Sequence, residues 1–425
     1  MLFALFLGAG NIIFPPLLGQ MAGDELFVAM TGFLITGVGL PLIAVLAIAN
    51  SGGSLQTIAS RVHPLFGAVF TMVIYMAIGP FFGIPRTATV SYEIGVVPFL
   101  PESISTASWP LALFTIAFFA ITVALALNPA KLVDRIGKVL TPILFIVIGA
   151  LAVKSIVTPI GEIGQAQGDY VTQPFFRSFV EGYLTMDVIA ALVFGIVVIN
   201  ALKAEGVTER PAVMKAMIFA GIVAAIGMAL VYISLAYIGA TSIDAIGMQQ
   251  NGGTVLALAS TVLYGSFGTT ILALTIIFAC LTTSIGLVSA CAQFFVQLLP
   301  QYSYKTFIFI FAGFSALVAN VGLTQLISFS VPVLLMIYPL AIVLMLMSFV
   351  DKLFERAPIV YILALLATVF VSVFDGLKGA GIDVKPVTSV LKYLPLYEQQ
   401  IGWLVPAIVG ALIGVILIPL TKRRV

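Results

Sequence analysis

The first apolar stretch of the chain contains a break whose residues could bind a small charged ligand. Its sequence is Gly8-Ala9-Gly10-Asn11-Ile12-Ile13-Phe14-Pro15-Pro16, within residues that otherwise have the composition of a membrane helix. An unwound backbone in lipid needs other partners for its N–H and C=O groups. A helix restarting near Ile12 would direct free N–H groups at an anion such as a carboxylate. Asn11 adds an amide that can donate to a carboxylate or coordinate a cation. The alternative is a proline kink with close glycine packing.

A second interruption carries two acids, in the run Glu181-Gly182-Tyr183-Leu184-Thr185-Met186-Asp187. Carboxylates in a membrane span usually face a cavity or a partner. An unbroken apolar run follows Asp187, so we expect Asp187 to lie deeper than Glu181 and to pair with an ammonium, Na⁺ or a proton. The alternative is a hydrogen-bonded carboxylate with a structural role only.

A third cluster is polar without being charged, in the run Ala279-Cys280-Leu281-Thr282-Thr283-Ser284. Hydroxyls in an apolar helix commonly bond back to carbonyls of the preceding turn, which has no functional consequence. Alternatively, the Thr282 and Thr283 hydroxyls and the Ala279 carbonyl are hard oxygen ligands suited to a weakly held monovalent ion. The residues alone leave both interpretations open.

The elements that must position these residues are membrane helices. The chain has 425 residues, of which 61% are hydrophobic and 8% charged, against about 25% charged in soluble domains. The net charge of +2 gives no reason to expect a nucleic-acid partner, and the sequence shows no obligate protein partner. A single histidine, His63, and scattered acids leave no enzymatic constellation, so we expect a transport protein rather than an enzyme.

Hydropathy predicts twelve apolar spans, numbered one to twelve in chain order. Their approximate ranges are 2–19, 27–49, 65–86, 109–127, 138–157, 175–202, 211–239, 268–299, 305–320, 325–349, 357–374 and 401–420. Residues 251–264 predict a re-entrant or surface helix before span eight. Because only seven residues precede Gly8, we expect residues to be missing before Met1.

Interruptions in spans one and six suggest an inverted internal repeat of five spans, with the binding site at the two breaks. The predicted organisation is a first repeat at 1–157, a second, inverted repeat at 158–350, and accessory helices eleven and twelve at 351–425. With both termini in the cytoplasm, thirteen of the nineteen Lys and Arg residues lie on the cytoplasmic side, as expected for this orientation. We therefore expect a multi-pass protein of the bacterial inner membrane.

Several runs resemble bacterial branched-chain amino acid carriers, the leucine/isoleucine/valine:cation symporters. The resemblance covers the whole chain and is most specific at residues 3–16 and in Gly182-Tyr183-Leu184-Thr185-Met186-Asp187. Further matching runs are Gly79-Pro80, Pro85–Ser91, Val193–Ile196, Ala279–Thr282 and Ser330–Leu334. That family is similar in plan to the LeuT-type transporters. The resemblance therefore implies an all-α polytopic fold with a LeuT-like five-plus-five inverted repeat, unwound helices one and six, and two accessory helices.

The resemblance also implies roles for individual residues. It implies that the unwound run Gly8, Ala9, Gly10 and Asn11 binds the substrate carboxylate. It implies a Na⁺ site of five ligands: the carbonyls of Ala4, Leu7 and Ala279 and the hydroxyls of Thr282 and Thr283. In the function we then expect, Tyr183, Met186 and Asp187 complete the substrate site.

The expected function is secondary active transport, with Na⁺-coupled uptake of leucine, isoleucine or valine by alternating access. The expected partners are the amino acid, the coupling ion Na⁺ and the lipid bilayer. An H⁺-coupled amino acid symporter that uses Asp187 is the alternative. A channel is less favoured, because channel filters need repeated rings of charged side chains or carbonyls.

Overall fold

A computed structural model describes residues 3, 6–51, 53–105, 107–127 and 132–422, and throughout them the regular structure is helical. Side chains are described for these residues except 102, 132–141, 204, 421 and 422. Over the described residues, each predicted span falls on one helix or on two helices joined by a short turn. The principal helices are Ala9–Ala22, Leu26–Leu34, Leu40–Ser51, Pro64–Met76, Gly83–Gly95, Ser108–Ala126, Leu132–Val157, Pro174–Glu181, Asp187–Ala204, Arg210–Ala240, Gly252–Leu298, Tyr304–Ala319, Leu323–Val350, Pro358–Gly379 and Leu404–Lys422.

Within the described residues, seven helices are long and apolar enough to cross a membrane, and eight if the bent pair of span six counts as one. The run Ala9–Ser51 contains the part of span one that follows its break and the whole of span two. Over the residues whose side chains are described, shorter apolar segments lie at spans five, nine and twelve: Pro142–Val157 of the helix Leu132–Val157, Tyr304–Ala319, and Leu404–Leu420 of the helix Leu404–Lys422. The all-α polytopic prediction is therefore confirmed.

Several spans depart from regular α-helix. Spans two and three contain π-helical turns at Ile35–Gly39 and Ala77–Phe81, a feature that often marks functional sites. Span eight continues an earlier helix across Gly265, whose φ of 61° interrupts the helical path. The helix predicted before span eight is thus present, beginning at Gly252.

The chain divides into two compact units. The first unit comprises Met1–Leu34, Met76–Ser178 and Ile226–Ile327. In its core the helix Ala9–Ala22 packs directly on the backbones of span seven and of the helical segment that precedes span eight. A Cβ atom added at Gly19 would lie 1.9 Å from the Ala236 carbonyl oxygen, and one at Gly252 would lie 1.7 Å from the Ile13 oxygen. Only glycine permits these approaches.

The second unit comprises Ile35–Tyr75, Phe179–Ala225 and Ser328–Val425. In it, the helix Leu40–Ser51 packs on Asp187–Ala204, and Pro358–Gly379 packs on Leu404–Lys422. Both units draw on both predicted repeats, but compactness and internal symmetry are different properties. The boundaries at 157 and 350 therefore stay predictions.

A buried ion pair ties two loops of the second unit together. Arg61, which follows span two, contacts the carboxylate of Asp351 at the end of span ten. Its guanidinium also donates to the Tyr361 hydroxyl at 3.3 Å. The Asp351 side chain is 3% exposed, whereas Arg356, which lies 3.4 Å from the same carboxylate oxygen, is 59% exposed. Arg61 is therefore the principal buried counter-charge of Asp351.

Candidate functional site

The break in span one lies at Leu7 and Gly8. Gly8 is extended, with φ −106° and ψ −173°, and the helix begins at Ala9. The predicted restart near Ile12 was therefore wrong by three residues. The reason is local: N–H groups of a first helical turn need no acceptor inside the helix, so Gly10 and Asn11 cost little there. The N–H groups of Ala9 and Gly10 consequently point towards the break from the positive end of the helix.

Asn11 fixes the geometry of this break. Its side chain is 1% exposed, and its Oδ1 accepts from the Gly8 N–H at 3.0 Å. The Gly8 N–H also donates to the Phe6 carbonyl at 2.7 Å. The Gly8 amide is therefore already engaged, and Ala9 and Gly10 are the better carboxylate donors among the four predicted residues.

A tyrosine of span seven holds the other end of the Asn11 amide. Asn11 Nδ2 donates to the hydroxyl of Tyr232, which is fully buried and packs edge-on against Phe33 at 5.2 Å between ring centroids. Sequence reasoning missed both aromatic residues, because nothing separates them from ordinary core residues of an apolar span. The oxygen and the nitrogen of the Asn11 amide thus both have partners.

The proline pair lies inside the helix rather than ending it. Pro15 and Pro16 are both buried within Ala9–Ala22. Because proline has no N–H, the carbonyls of Asn11 and Ile12 lack their usual donors four residues later. The helix is therefore depleted of internal hydrogen bonds directly after the break.

The threonine pair of span eight lies beside this break. A Cβ atom built on Gly8 would be 3.5 Å from the Thr283 methyl group. The hydroxyls of Thr282 and Thr283 donate to the Ala279 carbonyl at 2.8 and 3.0 Å. The back-bonding that the sequence left open is therefore present, and each hydroxyl keeps lone pairs that a cation could use.

The remaining predicted Na⁺ ligands have separate outcomes. Leu7 is buried immediately before Gly8, and its N–H donates to the Phe3 carbonyl at 2.9 Å. Ala4 lies outside the described residues. The structure therefore brings Leu7, through its neighbour Gly8, close to the threonine pair, and the role of each as a ligand stays a prediction.

Span six is broken where the sequence predicts. The helix Pro174–Glu181 passes through a 3₁₀ turn, Gly182–Thr185, into the helix Asp187–Ala204, with a bend of 40°. Met186 joins the two with φ 66° and ψ 13°, a left-handed conformation uncommon outside glycine and asparagine. Asp187 opens the second helix, is 2% exposed, and places its charge at the favourable helix end.

Neighbours of this second break were also missed by sequence reasoning. Tyr183 is fully buried and stacks on Tyr338 of span ten at 4.7 Å between ring centroids. Thr36, in the π-helical turn of span two, donates to the Phe179 carbonyl at 2.8 Å. Gly182 packs against the same threonine, since an added Cβ atom would lie 1.9 Å from its hydroxyl oxygen.

The predicted site residues are thus grouped in two places. Within the first unit the structure brings together the break of span one and the threonine pair of span eight. Within the second unit it brings Tyr183, Met186 and Asp187 together at the break of span six. Each group consists of a helix end and the buried polar residues beside it.

Comparisons with known proteins give the chain a family. The family model described as "Branched-chain amino acid transport protein" matches residues 1–420. The chain is 51% identical to the branched-chain amino acid permease BraB of Bacillus subtilis over 98% of this chain and 94% of the relative. It is 45% identical to the branched-chain amino acid transport system 2 carrier protein of Pseudomonas aeruginosa over 98% and 94%.

A solved structure supports the fold at low sequence identity. Mhp1, a nucleobase-cation-symport-1 family transporter solved in a closed conformation, matches with a TM-score of 0.63 at 13% identity, over 99% of this chain and 92% of that chain. An inward-facing conformation of Mhp1 matches with a TM-score of 0.60 at 14% identity. The LeuT-like fold class is therefore confirmed.

The similar proteins are named permeases and carriers, which confirms a transporter rather than an enzyme. A transporter is also what the apolar spans, the broken helices and the buried polar residues beside the breaks indicate. This chain belongs to the branched-chain amino acid transport protein family.

Proposed function

We propose that this protein couples the inward movement of Na⁺ to the uptake of leucine, isoleucine or valine by alternating access. The observation that carries the proposal is the proximity of Gly8 to Thr283, which puts the break of span one beside the hydroxyl pair of span eight. The branched-chain substrate is supported by the names of the similar permeases.

The substrate carboxylate binds at the start of the helix Ala9–Ala22. The N–H groups of Ala9 and Gly10 donate to it, and the positive end of the helix favours its charge. Gly8 and Asn11 shape the cradle, because their mutual hydrogen bond holds the break open. Tyr183, Met186 and Asp187, at the break of span six, stay the residues predicted from the sequence to complete the substrate site.

Na⁺ binds between spans one and eight. Its ligands are the Thr282 and Thr283 hydroxyls with the carbonyls of Ala279, Leu7 and Ala4. Hydroxyl and carbonyl oxygens without a carboxylate suit a hard monovalent ion that must be released in every cycle. Occupation of this site stabilises the broken form of span one and so couples ion binding to the carboxylate cradle.

Proton coupling through Asp187 is the second candidate. It is favoured by the burial of this carboxylate at the start of the helix Asp187–Ala204. Under that mechanism, protonation of Asp187 replaces Na⁺ binding, and a pH gradient alone drives uptake.

Uptake of labelled leucine into proteoliposomes separates these possibilities. We expect an inward Na⁺ gradient to drive accumulation and a pH gradient without Na⁺ to fail. Thr282→Ala with Thr283→Ala should raise the half-saturating Na⁺ concentration at least tenfold. Thr270→Ala is the matched control, because this exposed hydroxyl also bonds back to a carbonyl of the same helix, that of Ser266. Equal uptake with and without Na⁺ would refute Na⁺ coupling, and loss of pH-driven uptake in Asp187→Asn would establish the proton mechanism.

The same proteoliposomes test for a channel. Saturable uptake that accelerates when unlabelled leucine is loaded on the opposite side is expected of a carrier. A flux that rises linearly with leucine concentration and shows no such counterflow would indicate a channel.

A further inference from the structure

A buried hydroxyl of span four contacts span eight directly beside the predicted Na⁺ ligands. Thr122 and Ser284 are both fully buried, and their hydroxyls form a hydrogen bond with 3.3 Å between the oxygens. Ser284 follows Thr283 in the sequence, and both helices, Ser108–Ala126 and Gly252–Leu298, belong to the first unit. The contact therefore joins span four to the residue that follows the threonine pair.

Consecutive residues of span eight face different neighbours. Successive side chains of an α-helix lie about 100° apart around its axis. Thr283 faces span one, because a Cβ atom built on Gly8 would be 3.5 Å from its methyl group. Ser284, one position later, faces span four and contacts Thr122. The direction in which the threonine pair points is thus linked to the direction in which Ser284 points.

Thr122 is itself held by its own helix. Its hydroxyl also donates to the Phe118 carbonyl, one turn earlier, at 2.9 Å. This second bond restricts the side chain of Thr122, so that a fixed oxygen is presented to Ser284. Hydrogen bonds between uncharged side chains are a common means of joining membrane helices. Since each hydroxyl has a protein partner, the pair is suited to fixing an orientation rather than to binding a ligand.

Small rotations of span eight would matter to an ion site. Side-chain oxygens lie roughly 5 Å from the axis of an α-helix, so a rotation of about 10° moves them by about 0.9 Å. Binding sites need their ligands within about 0.5 Å of the productive geometry. A hydrogen bond that opposes such a rotation therefore bears directly on Na⁺ affinity.

A second buried threonine of span four provides the comparison with ordinary helix packing. Thr115, two turns before Thr122, is also fully buried and donates to the Ala112 carbonyl at 3.0 Å. Its hydroxyl accepts from Asn320 Nδ2, at the end of span nine, at 3.0 Å. This contact resembles the one at Thr122 but does not involve span eight. The two threonines therefore separate the general packing of span four from an effect on the Na⁺ site.

We propose that Thr122 is a positioning residue for the Na⁺ site, acting through Ser284 to hold the threonine pair of span eight towards the break of span one. The inference rests on the proposed function, because it takes the threonine pair to bind Na⁺. Thr122 does not touch the ion. Its loss weakens Na⁺ binding and leaves the substrate site intact, so leucine affinity recovers when Na⁺ is saturating.

The test compares Thr122→Val with Thr115→Val in the purified full-length protein. Both substitutions keep the shape of the side chain and remove one buried hydroxyl. Na⁺ affinity is measured as the NaCl concentration that gives half of the maximal rise in melting temperature, with N-methyl-D-glucamine chloride keeping the ionic strength constant. Leucine affinity is measured by calorimetry at saturating NaCl.

Thr122→Val should raise the half-saturating Na⁺ concentration by roughly three- to tenfold, the loss that corresponds to one hydrogen bond between neutral groups. Thr122→Ser keeps the hydroxyl and should stay within twofold of the wild type. Thr115→Val should lower the melting temperature as much as Thr122→Val does but leave the half-saturating Na⁺ concentration within twofold. Leucine affinity at saturating NaCl should stay within twofold in all of these variants.

Ser284→Ala is an independent variant that replaces Thr122→Val if that protein does not fold. It removes the other hydroxyl of the pair and should raise the half-saturating Na⁺ concentration to a similar extent. The double variant should show no further rise, because both substitutions break the same hydrogen bond. A wild-type value in both single variants would overturn the proposal, as would an equal rise in Thr115→Val and Thr122→Val.

Failure of this inference is distinguishable from failure of the proposed function. If the wild type shows no Na⁺-dependent rise in melting temperature, the predicted Na⁺ site fails and the positioning role of Thr122 fails with it. If the wild type responds to Na⁺ and Thr122→Val responds identically, only the positioning role is overturned.

Discussion

Replacing Tyr232 by phenylalanine tests whether the conformation of the break in span one depends on a hydrogen bond from span seven. The Tyr232 hydroxyl accepts from Asn11 Nδ2, and Asn11 Oδ1 in turn holds the Gly8 N–H at 3.0 Å. The substitution keeps the aromatic ring that packs on Phe33 and removes only the hydroxyl. An N–H group of Asn11, in a side chain that is 1% exposed, then loses this acceptor.

The size of the effect follows from the burial of that group. A buried donor that loses its acceptor costs about 1–3 kcal/mol. If this cost falls on the conformation that forms the carboxylate cradle, leucine affinity drops by roughly 5- to 150-fold. Because Gly8 neighbours Thr283, the half-saturating Na⁺ concentration should rise in the same variant.

The measurement is the leucine dissociation constant as a function of NaCl, determined on purified protein. Tyr304→Phe is the matched control, since Tyr304 also loses one hydrogen bond, to the Ala126 carbonyl at 3.1 Å. We expect the control to lower the melting temperature slightly and to leave leucine affinity within twofold. A Tyr232→Phe protein with wild-type affinity and Na⁺ requirement would refute the idea that the Asn11 anchor shapes the site.

Two further predictions concern the stability of each unit. Gly19→Ala places a Cβ atom 1.9 Å from a backbone oxygen of span seven and should destabilise the protein by at least about 1–3 kcal/mol, measured as a lower melting temperature. Gly286→Ala is the control, because an added Cβ atom there meets nothing within 4 Å, and it should leave the melting temperature unchanged or higher. Equal melting temperatures for the two variants would contradict the packing described. Arg61→Ala removes the principal counter-charge of the buried Asp351 and should destabilise by up to about 3–5 kcal/mol, whereas Arg356→Ala, at an exposed position, should cost under about 1 kcal/mol. Chemical or thermal unfolding that ranks the two arginines in the opposite order would contradict this assignment.

Breaks in membrane helices are unusually visible in a sequence. Glycine, asparagine and acidic residues are costly in lipid, so their presence at residues 8–11 and 181–187 located both interruptions. The end of the first break could not be placed as well, because Asn11 satisfies the Gly8 amide from within the first helical turn. A side chain that caps a helix start extends the helix beyond what propensity predicts.

Long-range partners could not be predicted from the same signals. Tyr232 and Tyr338 are aromatic residues in apolar spans, and the sequence around them looks the same whether such a residue fills a core or belongs to a binding site. Thr36 lies in a π-helical turn and donates to the Phe179 carbonyl, and neither the turn nor this contact could be read from the sequence.

The glycine contacts of the helix Ala9–Ala22 bear on where span one can bend. Gly19 and Gly239 bring this helix into backbone contact with span seven, and Gly252 brings it into backbone contact with the helical segment that precedes span eight. Sliding across any of these contacts would drive Cα atoms into carbonyl oxygens, so we expect the three segments to keep their relative positions when span one moves. We therefore expect span one to bend at Leu7 and Gly8, where the helix is interrupted and where the predicted Na⁺ site also lies.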